Sequence, residues 1–378
     1  MTPDKVRVAV VGAGWAGELH LKAFAAQPAV ELVAVSSRTE PRARQVADTF
    51  GVPAVHTDLD RMLAEVRPDV VSVATPPSSH AHITLAAIAA GCHVLCDKPI
   101  ATSAADGALM LEAAEAAGVK HASGFVWRND PAILELRRLV AERAVGDVVE
   151  VHARCALGAP VLPMTWMYDA EAGGGALMQH GGHVIDRIRW VTGNEFAGVS
   201  GELLHDVKDA EVGPRFHNVM EAFAWAGRRM VEGGEPLPRT AVTADTGYTL
   251  RAELANGVRV SLWELWHGVG THPDVVEVVG TRGTLVWSGA GGLALVRPRQ
   301  APEPLPIAGQ STEAGGGDMK ALEAQGARMW DRLAAAFVAD VAGEQHEPYP
   351  TLVDGWRAQQ VIDAVGRSDA SRSWVTCG

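Results

Sequence analysis

The chain has 378 residues, 47% apolar and 21% charged, with a formal net charge of -12 from 33 Lys and Arg against 45 Asp and Glu. This is the composition of an ordinary globular protein with room for one or two sizeable cores. The acidic balance argues against a nucleic-acid partner, since no surplus of cations is there to displace phosphate counterions; no apolar run reaches the ~20 residues that cross a bilayer; and the scattered Cys92, Cys96, Cys155 and Cys377 form neither a disulfide framework nor a zinc knuckle.

In chain order, KVRVAVV at residues 5–11 is a strand-length apolar run, followed by GAGWAG and a helical pattern, ELHLKAFAAQP. A strand at ELVAVSS and a helix opening at Pro41 come next, then a helix at DLDRMLAEV and a strand at DVVSVATP. Helix, strand, helix and strand follow at SHAHITLAAIAAG, HVLCD, SAADGALMLEAAEAAG and KHASGF. Strands alternating with helices predict a mostly parallel sheet ending near residue 124. Beyond it DPAILELRRLVAE reads as a helix and VVEVHARCAL as a strand, and period-two alternation appears in LRAELANGVRVSLWELW and PDVVEVVGTRGTLVWS. Asn256-Gly257 is a hairpin signal. Residues 303–318 are Gly/Ser/Pro-rich and predict a loop, after which KALEAQGARMWDRLAAAFVADVAG returns to helix. The expected architecture is α/β: a Rossmann domain at 1–124, then an α+β domain at 125–378 with an open, predominantly antiparallel sheet for substrate binding and oligomerisation. The final helix has the option of packing back on the first domain. With no membrane segment expected, the reading is of a soluble, cytoplasmic protein.

Gly12, Gly14 and Gly17 form G-x-G-x-x-G between the first strand and first helix, around Trp15 and Ala16. The spacing suits a tight turn, close approach of backbone to a pyrophosphate, and close helix-to-strand packing. At the end of the second strand, VAVSSRTEPRAR places Ser37 and Arg38 where an NAD site usually offers an acid. A hydroxyl and a guanidinium favour the 2'-phosphate of NADP, while Glu40 keeps NAD open. Arg42 and Arg44 either help or are solvated helix residues. The strand end ATPPSSHAH makes Thr75, Pro76 and His80 candidates to border the cofactor, the alternative for His80 being a capping or packing role. CHVLCDKPIA puts Asp97 and Lys98 just after another apolar strand, both candidates to border the cofactor; the Lys98 ammonium can reach a substrate oxygen or form a surface salt bridge.

The stretch GGGALMQHGGHVID at residues 173–186 brings Gln179, His180, His183 and Asp186 together at helical spacing. A metal is permitted by that spacing, but no cysteine joins the group and none is expected. Together, the GxGxxG turn, ATPPSSHAH, AAGCHVLCDKP and GGGALMQHGGHVID followed by WVTGN resemble the oxidoreductase family typified by glucose-fructose oxidoreductase and inositol dehydrogenase. The resemblance implies a Rossmann domain joined to an α/β domain whose open sheet often forms an oligomer interface. Hydrophobic strand faces in the second domain independently predict a homodimer or homotetramer, because an open sheet needs cover. It implies that Lys98 contacts the reacting oxygen, His183 faces substrate and Asp186 supports the helix. Two departures stand out: Asp97 where the family more often has glutamate, and Gln179 where active dehydrogenases often have aspartate. An amide orients a hydroxyl but is no base at neutral pH, which leaves the proton to Lys98, His183 or water.

The implied activity is hydride exchange between a nicotinamide and a secondary alcohol of a sugar, sugar derivative or cyclic polyol. Trp127, Arg128, Asn129 and Trp166, with Gln179, are the expected substrate contacts, and Tyr168, Trp263 and His267 are further candidates. A redox-neutral lyase or glycoside-cleaving enzyme with tightly held cofactor, and a non-catalytic dinucleotide-binding protein, stay open as alternatives.

Overall fold

The computed structural model describes residues 5–214, 216, 219–267, 272–289, 292–307 and 319–378. The chain forms two compact units, the first comprising residues 1–126, 216–220 and 323–359 and the second the remainder.

The first unit alternates β1 (Val6–Val11), α1 (Trp15–Ala25), β2 (Val30–Ser36), α2 (Glu40–Phe50), β3 (Ala54–His56), α3 (Leu59–Val66), β4 (Val70–Val73), α4 (His80–Ala89), β5 (His93–Cys96), α5 (Ala104–Ala117) and β6 (His121–Ser123). Local chemistry sets the helix ends. Asp58 caps α3 by accepting from the Arg61 amide, the Ser103 hydroxyl caps α5, and Gly51 and Gly118 end α2 and α5 in the left-handed conformation. The six strands are all parallel, in the order β3-β2-β1-β4-β5-β6. The order reverses between β1 and β4, the switch point at which open α/β sheets bind ligands. Ala9, Val11, Val71, Val73, Val94 and Cys96 pack beneath Met62, Ile83, Ile88 and Met110, each large side chain contributing about 1.5–3 kcal/mol on burial.

The second unit contains α6 (Pro131–Ala141), β7 (Val148–Ala156), α7 (Gly182–Thr192), β8 (Phe196–Leu204), β9 (Asp209–Glu211), α8 (Val219–Glu232), β10 (Arg239–Ala241), β11 (Gly247–Leu254), β12 (Arg259–Leu265), β13 (His272–Gly280), β14 (Gly283–Ser288), β15 (Gly292–Val296) and β16 (Glu303–Leu305). With β17 (Val375–Thr376) these build a nine-stranded sheet, β16-β15-β14-β13-β7-β12-β11-β8-β17, and a separate ribbon of β9 and β10. Among the described residues, only β7 and β12 pair in parallel in the large sheet. The Asn256-Gly257 signal lies in the β11–β12 hairpin, where Gly257 has φ 83° and donates to the Leu254 carbonyl.

Alternation sorts the faces of this sheet. Val151, Ala153, Cys155, Val260, Leu262 and Glu264 are buried, whereas Glu150, His152, Arg154, Arg251, Ser261 and Trp263 take the other phase. That outer face is laced with ion pairs, including Arg154–Glu277 and Arg259–Glu150, so it lacks the apolar character that the sequence suggested for an oligomer face. Of the 303–318 loop, Glu303–Leu305 pairs with β15 as an edge strand, and 308–318 lie outside the described residues.

Two helices close the chain, α9 (Met319–Val341) and α10 (Leu352–Ser371). Within the first unit Trp330 of α9 packs on the His20 ring at 4.2 Å, and Gly355 of α10 sits so close to Ile100 that a β-carbon there would come within 2.4 Å.

Candidate active site

At the end of β1 the turn has no room for side chains. Gly12 adopts φ +123°, and a β-carbon there would lie 2.3 Å from the Ala74 carbonyl oxygen; one on Gly17 would lie 2.0 Å from the Gly12 oxygen. Gly14 is the N-cap of α1, so the first amides of the helix have no intrahelical acceptor. A bare, amide-rich turn at the positive end of a helix fits a dinucleotide pyrophosphate. Trp15 is exposed and Ala16 half-buried in that first turn. Arg42 braces the turn itself: its Nε donates to the Ala13 carbonyl at 2.8 Å and its guanidinium pairs with Glu18. Arg44 and Glu40 face each other at 3.7 Å on the surface. Ser37 is half-buried, while Arg38 is exposed and makes no hydrogen bond or ion pair among the described residues.

After β4, Thr75 and Pro76 are half-buried and the Ser79 hydroxyl donates to Thr75 Oγ1 at 2.7 Å. His80 differs from expectation. It is 1% exposed, with Nδ1 2.8 Å from the Pro99 carbonyl and Nε2 2.7 Å from the Thr75 carbonyl. Both ring nitrogens face backbone, leaving none for a cofactor, and burial lowers its pKa despite Asp97 nearby. His80 therefore ties the loop after β4 to the loop after β5. On the latter, the Lys98 amide donates to Asp97 Oδ1 at 2.7 Å, and the Asp97 amide donates to the Val73 carbonyl. A β-carbon on Gly124 would meet Asp97 Oδ1 at 2.4 Å, so β6 closes tightly against this loop. Asp97 is thus absorbed in shaping the backbone that carries Lys98, whose side chain is half-buried. His20, 3.8 Å from Asp97 Oδ2, is pushed down to about 4 by burial and is neutral at physiological pH.

In the second unit the glycine run is a packing device. A β-carbon on Gly174 would lie 2.4 Å from the Met167 carbonyl, one on Gly175 2.2 Å from Asp245 Oδ1, and one on Gly181 3.0 Å from the Tyr248 ring. The chain then makes a π-helical turn at Leu177–Gly181 before α7 begins, a local geometry frequent at functional sites. Asp245 Oδ2 accepts from the Leu177 amide at 2.9 Å. Its burial raises its pKa to about 7. Gln179 is buried, and its amide nitrogen donates to the Gly173 carbonyl at 2.6 Å.

His183, 8% exposed, lies parallel to Trp127 with ring centroids 4.1 Å apart. Arg187, one turn along α7, places its guanidinium 4.7 Å from the same indole. Arg128 is also redirected from the substrate role expected of it. It is 6% exposed, and its guanidinium is committed to Asp186, Nε to Oδ2 at 2.8 Å with the second nitrogen closer still. This fork-to-fork pair anchors the turn bearing Trp127 and Asn129 to α7. Asn129 is half-buried. Trp166, 38% exposed, opens a short turn that seats on Gly174. Tyr168 is wholly buried, accepting from the Leu162 amide and donating to His267 Nε2. Trp263 projects from the outer sheet phase, opposite Glu264, which contacts His180. Trp263 therefore does not belong to the His183 wall.

Sequence reasoning missed the acids and the tyrosine behind this wall: Asp245, Tyr248, Glu264 and Asp274. One signal was available for Glu264. In RVSLWEL it occupies the phase of Val260 and Leu262, an acid at a position the alternation assigns to the core.

A six-stranded parallel sheet with a bare glycine turn at its switch point, followed by a unit presenting a buried histidine on an aromatic plate, defines the class of Rossmann-fold dinucleotide-dependent oxidoreductases. Comparison with known proteins agrees. Residues 6–125 match the oxidoreductase family described as having an NAD-binding Rossmann fold, and residues 133–286 match the GFO/IDH/MocA C-terminal domain. The chain is 30% identical to an inositol 2-dehydrogenase of Acidothermus cellulolyticus over 67% of its own length and 71% of that protein. It is 25% identical to a levoglucosan dehydrogenase of Pseudarthrobacter phenanthrenivorans over 98% of both chains. A levoglucosan dehydrogenase solved with NADH and L-sorbose superposes with a TM-score of 0.81 at 23% identity, covering 99% of each chain, which establishes the shared fold. The chain belongs to the Gfo/Idh/MocA family of oxidoreductases. Among the described residues no helix is long and apolar enough to cross a membrane, and no group of three or more His, Cys, Asp or Glu is arranged to hold a metal ion.

Proposed function

We propose that the protein is a dehydrogenase or reductase acting at a secondary alcohol or ketone of a sugar, sugar derivative or cyclic polyol, with NADP preferred over NAD. The observation that carries the reading is the presence, in one chain, of the side-chain-free turn at Gly12 and Gly17 and the His183–Trp127 stack. The names of the matched relatives, an inositol 2-dehydrogenase and a levoglucosan dehydrogenase, support the substrate class.

Gly12, Gly14 and the first-turn amides at Trp15 and Ala16 would hold the pyrophosphate, with Thr75 and Pro76 beside it. Ser37 and the unengaged Arg38 would take the 2'-phosphate, since a guanidinium reads phosphate through paired donors. A bound nicotinamide supplies hydride exchange at carbon. Lys98 binds and polarises the reacting oxygen, and His183 holds or gives up the hydroxyl proton, imidazole being the side chain whose ordinary pKa suits that task. Gln179 orients a hydroxyl without taking a proton. Trp127, Asn129 and Trp166 offer apolar and polar contacts to the ring, and the Arg128–Asp186 pair holds their support in place. The proposal includes self-association as a homodimer or homotetramer through the charge-laced outer sheet face, to be checked by sedimentation. A cytoplasmic setting is consistent with four free thiols.

The test is a scan of purified protein with NADP and with NAD against sugars, sugar acids, inositols and amino sugars, following reduced cofactor. Turnover on one neutral sugar or polyol class, lost in K98A and H183A, is expected. Dinucleotide binding with no reduction across the panel would shift the assignment to a redox-neutral enzyme or a binding protein.

A further inference from the structure

Behind the His183 wall lies a buried ionic cluster that the proposed chemistry does not use. His180 Nδ1 is 2.8 Å from Glu264 Oε2, and Glu264 is 1% exposed. The other carboxylate oxygen accepts from Trp266 Nε1 at 2.8 Å, and the Tyr248 hydroxyl also bonds this carboxylate. On its far side His180 Nε2 stands 3.9 Å from Asp274 Oδ2, the oxygen that receives both terminal nitrogens of Arg187 at 3.0 Å. Two carboxylates thus flank the His180 ring, and one of them also holds the Arg187 guanidinium. A buried Glu264 without a cationic neighbour would carry a heavy desolvation cost.

The cluster meets the wall at one residue. The His180 ring touches the Trp127 indole edge-on, with centroids 5.1 Å apart, and the same indole is stacked on His183. Arg187 also reaches Trp127 and bridges it to Trp287, whose ring is 4.3 Å from the guanidinium. Trp127 therefore has neighbours on several sides, two of them held by carboxylates, the buried Glu264 and the half-buried Asp274.

We propose that His180 is a positioning residue: as an imidazolium anchored by Glu264, it fixes the edge of Trp127 and, through the Trp127–His183 stack, the orientation of the His183 ring. The inference rests on the reading of His183 as an acid-base group. Its physical basis is that a stacked imidazole can pivot about its own bond unless the plate beneath it is held, and small misplacements of a reacting group cost rate. The charged groups facing His180 are Glu264 on β12, Asp274 on β13 and Arg187 on α7, and Tyr248 on β11 bonds Glu264. Glu264 and Asp274 raise its pKa while burial and Arg187 oppose them, and the net direction is upward.

Two measurements test this. Histidine-selective 15N NMR on the intact wild-type protein, with His180 assigned by its absence in H180Q, should show both ring nitrogens protonated at neutral pH; a neutral tautomer there would overturn the proposal. Kinetically, H180Q retains an amide that can donate to Glu264 but carries no charge. It should lose roughly ten- to a hundredfold in kcat, with sugar KM and cofactor Kd near wild type, and its kcat–pH profile should be displaced; E264Q should do the same. A wild-type kcat and pH profile in H180Q, alongside an inactive H183A, would overturn the positioning role and leave His183 catalytic. An active H183A would instead remove the underlying reading.

Discussion

The two glycine-rich turns of this chain look alike in sequence and serve opposite ends. At Gly12 and Gly17 the atoms that forbid a side chain are backbone carbonyls of Ala74 and of Gly12 itself, so the turn is kept bare. At Gly175 and Gly181 the forbidding atoms belong to Asp245 and Tyr248, so the glycines admit partners from distant strands. One clears a surface for a ligand, and the other lets a helix start settle onto an acid and a ring. The lesson is that glycine density marks close approach, and only the neighbour tells which kind.

Substitutions at the two turns should separate these roles most sharply. Gly12→Val drives a branched side chain into the Ala74 carbonyl at a φ of +123°, and calorimetric titration should find dinucleotide affinity reduced more than about a hundredfold, the backbone strain being of order 1–3 kcal/mol before any clash is added. Gly181→Ala, against the Tyr248 ring, should leave that affinity intact and lower thermal stability by about 1–3 kcal/mol. If both variants bind dinucleotide normally, the contrast collapses.

Next in size is the Arg128–Asp186 pair. Asp186→Asn leaves a buried guanidinium without its counter-ion, and denaturant unfolding should show a loss of about 3–5 kcal/mol while dinucleotide affinity stays unchanged. A smaller effect belongs to the exposed rim of the first unit. Arg38→Ala should weaken NADP about ten- to a hundredfold through one lost charge-assisted contact and leave NAD untouched; equal losses for both cofactors would place Arg38 outside the 2'-phosphate contact.

The mildest prediction concerns Asp245. Its folded pKa of about 7 lies above its ordinary value, so the native state binds a proton that the unfolded chain, with an Asp pKa of about 3.9, has already released. Its ionisation therefore costs stability as pH rises from about 4 to 7, a loss complete above the folded value. Asp245→Asn should flatten the stability curve across that window and gain about 1–2 kcal/mol at pH 8. His180 has the same sign, in a window that begins at the ordinary histidine value. With its pKa raised, its stabilising contribution is present below the ordinary histidine value and fades as pH climbs through the folded one.

These contrasts also explain what could be read from residues alone. The parallel sheet was legible because each strand–helix repeat is local, and the Gly12 turn because its three glycines and their strand and helix all lie between Val6 and Ala25. Lys98 and His183 stood out through neighbouring sequence. What supports His183 did not: Asp245, Tyr248, Glu264 and Asp274 lie more than fifty residues beyond the stretch they pack against, and strand register alone brings them there. Arg128 and His80 were misplaced for a related reason. A polar residue beside a cofactor or substrate motif has the same local pattern whether it faces the ligand or braces the backbone behind it, and burial decides between them. The acid at Glu264, standing in the core phase of its strand, was the one internal clue to the cluster behind the wall.

The central proposal is that dinucleotide binding, Lys98 and His183 all serve one hydride transfer. Single-turnover hydride transfer with NADP and a turned-over sugar or polyol, in wild type, K98A and H183A, addresses it directly. Both variants should bind NADP with near wild-type affinity and transfer hydride about 10²–10⁴-fold more slowly, as expected for lost acid-base groups. A transfer rate within threefold of wild type in either variant would contradict the account.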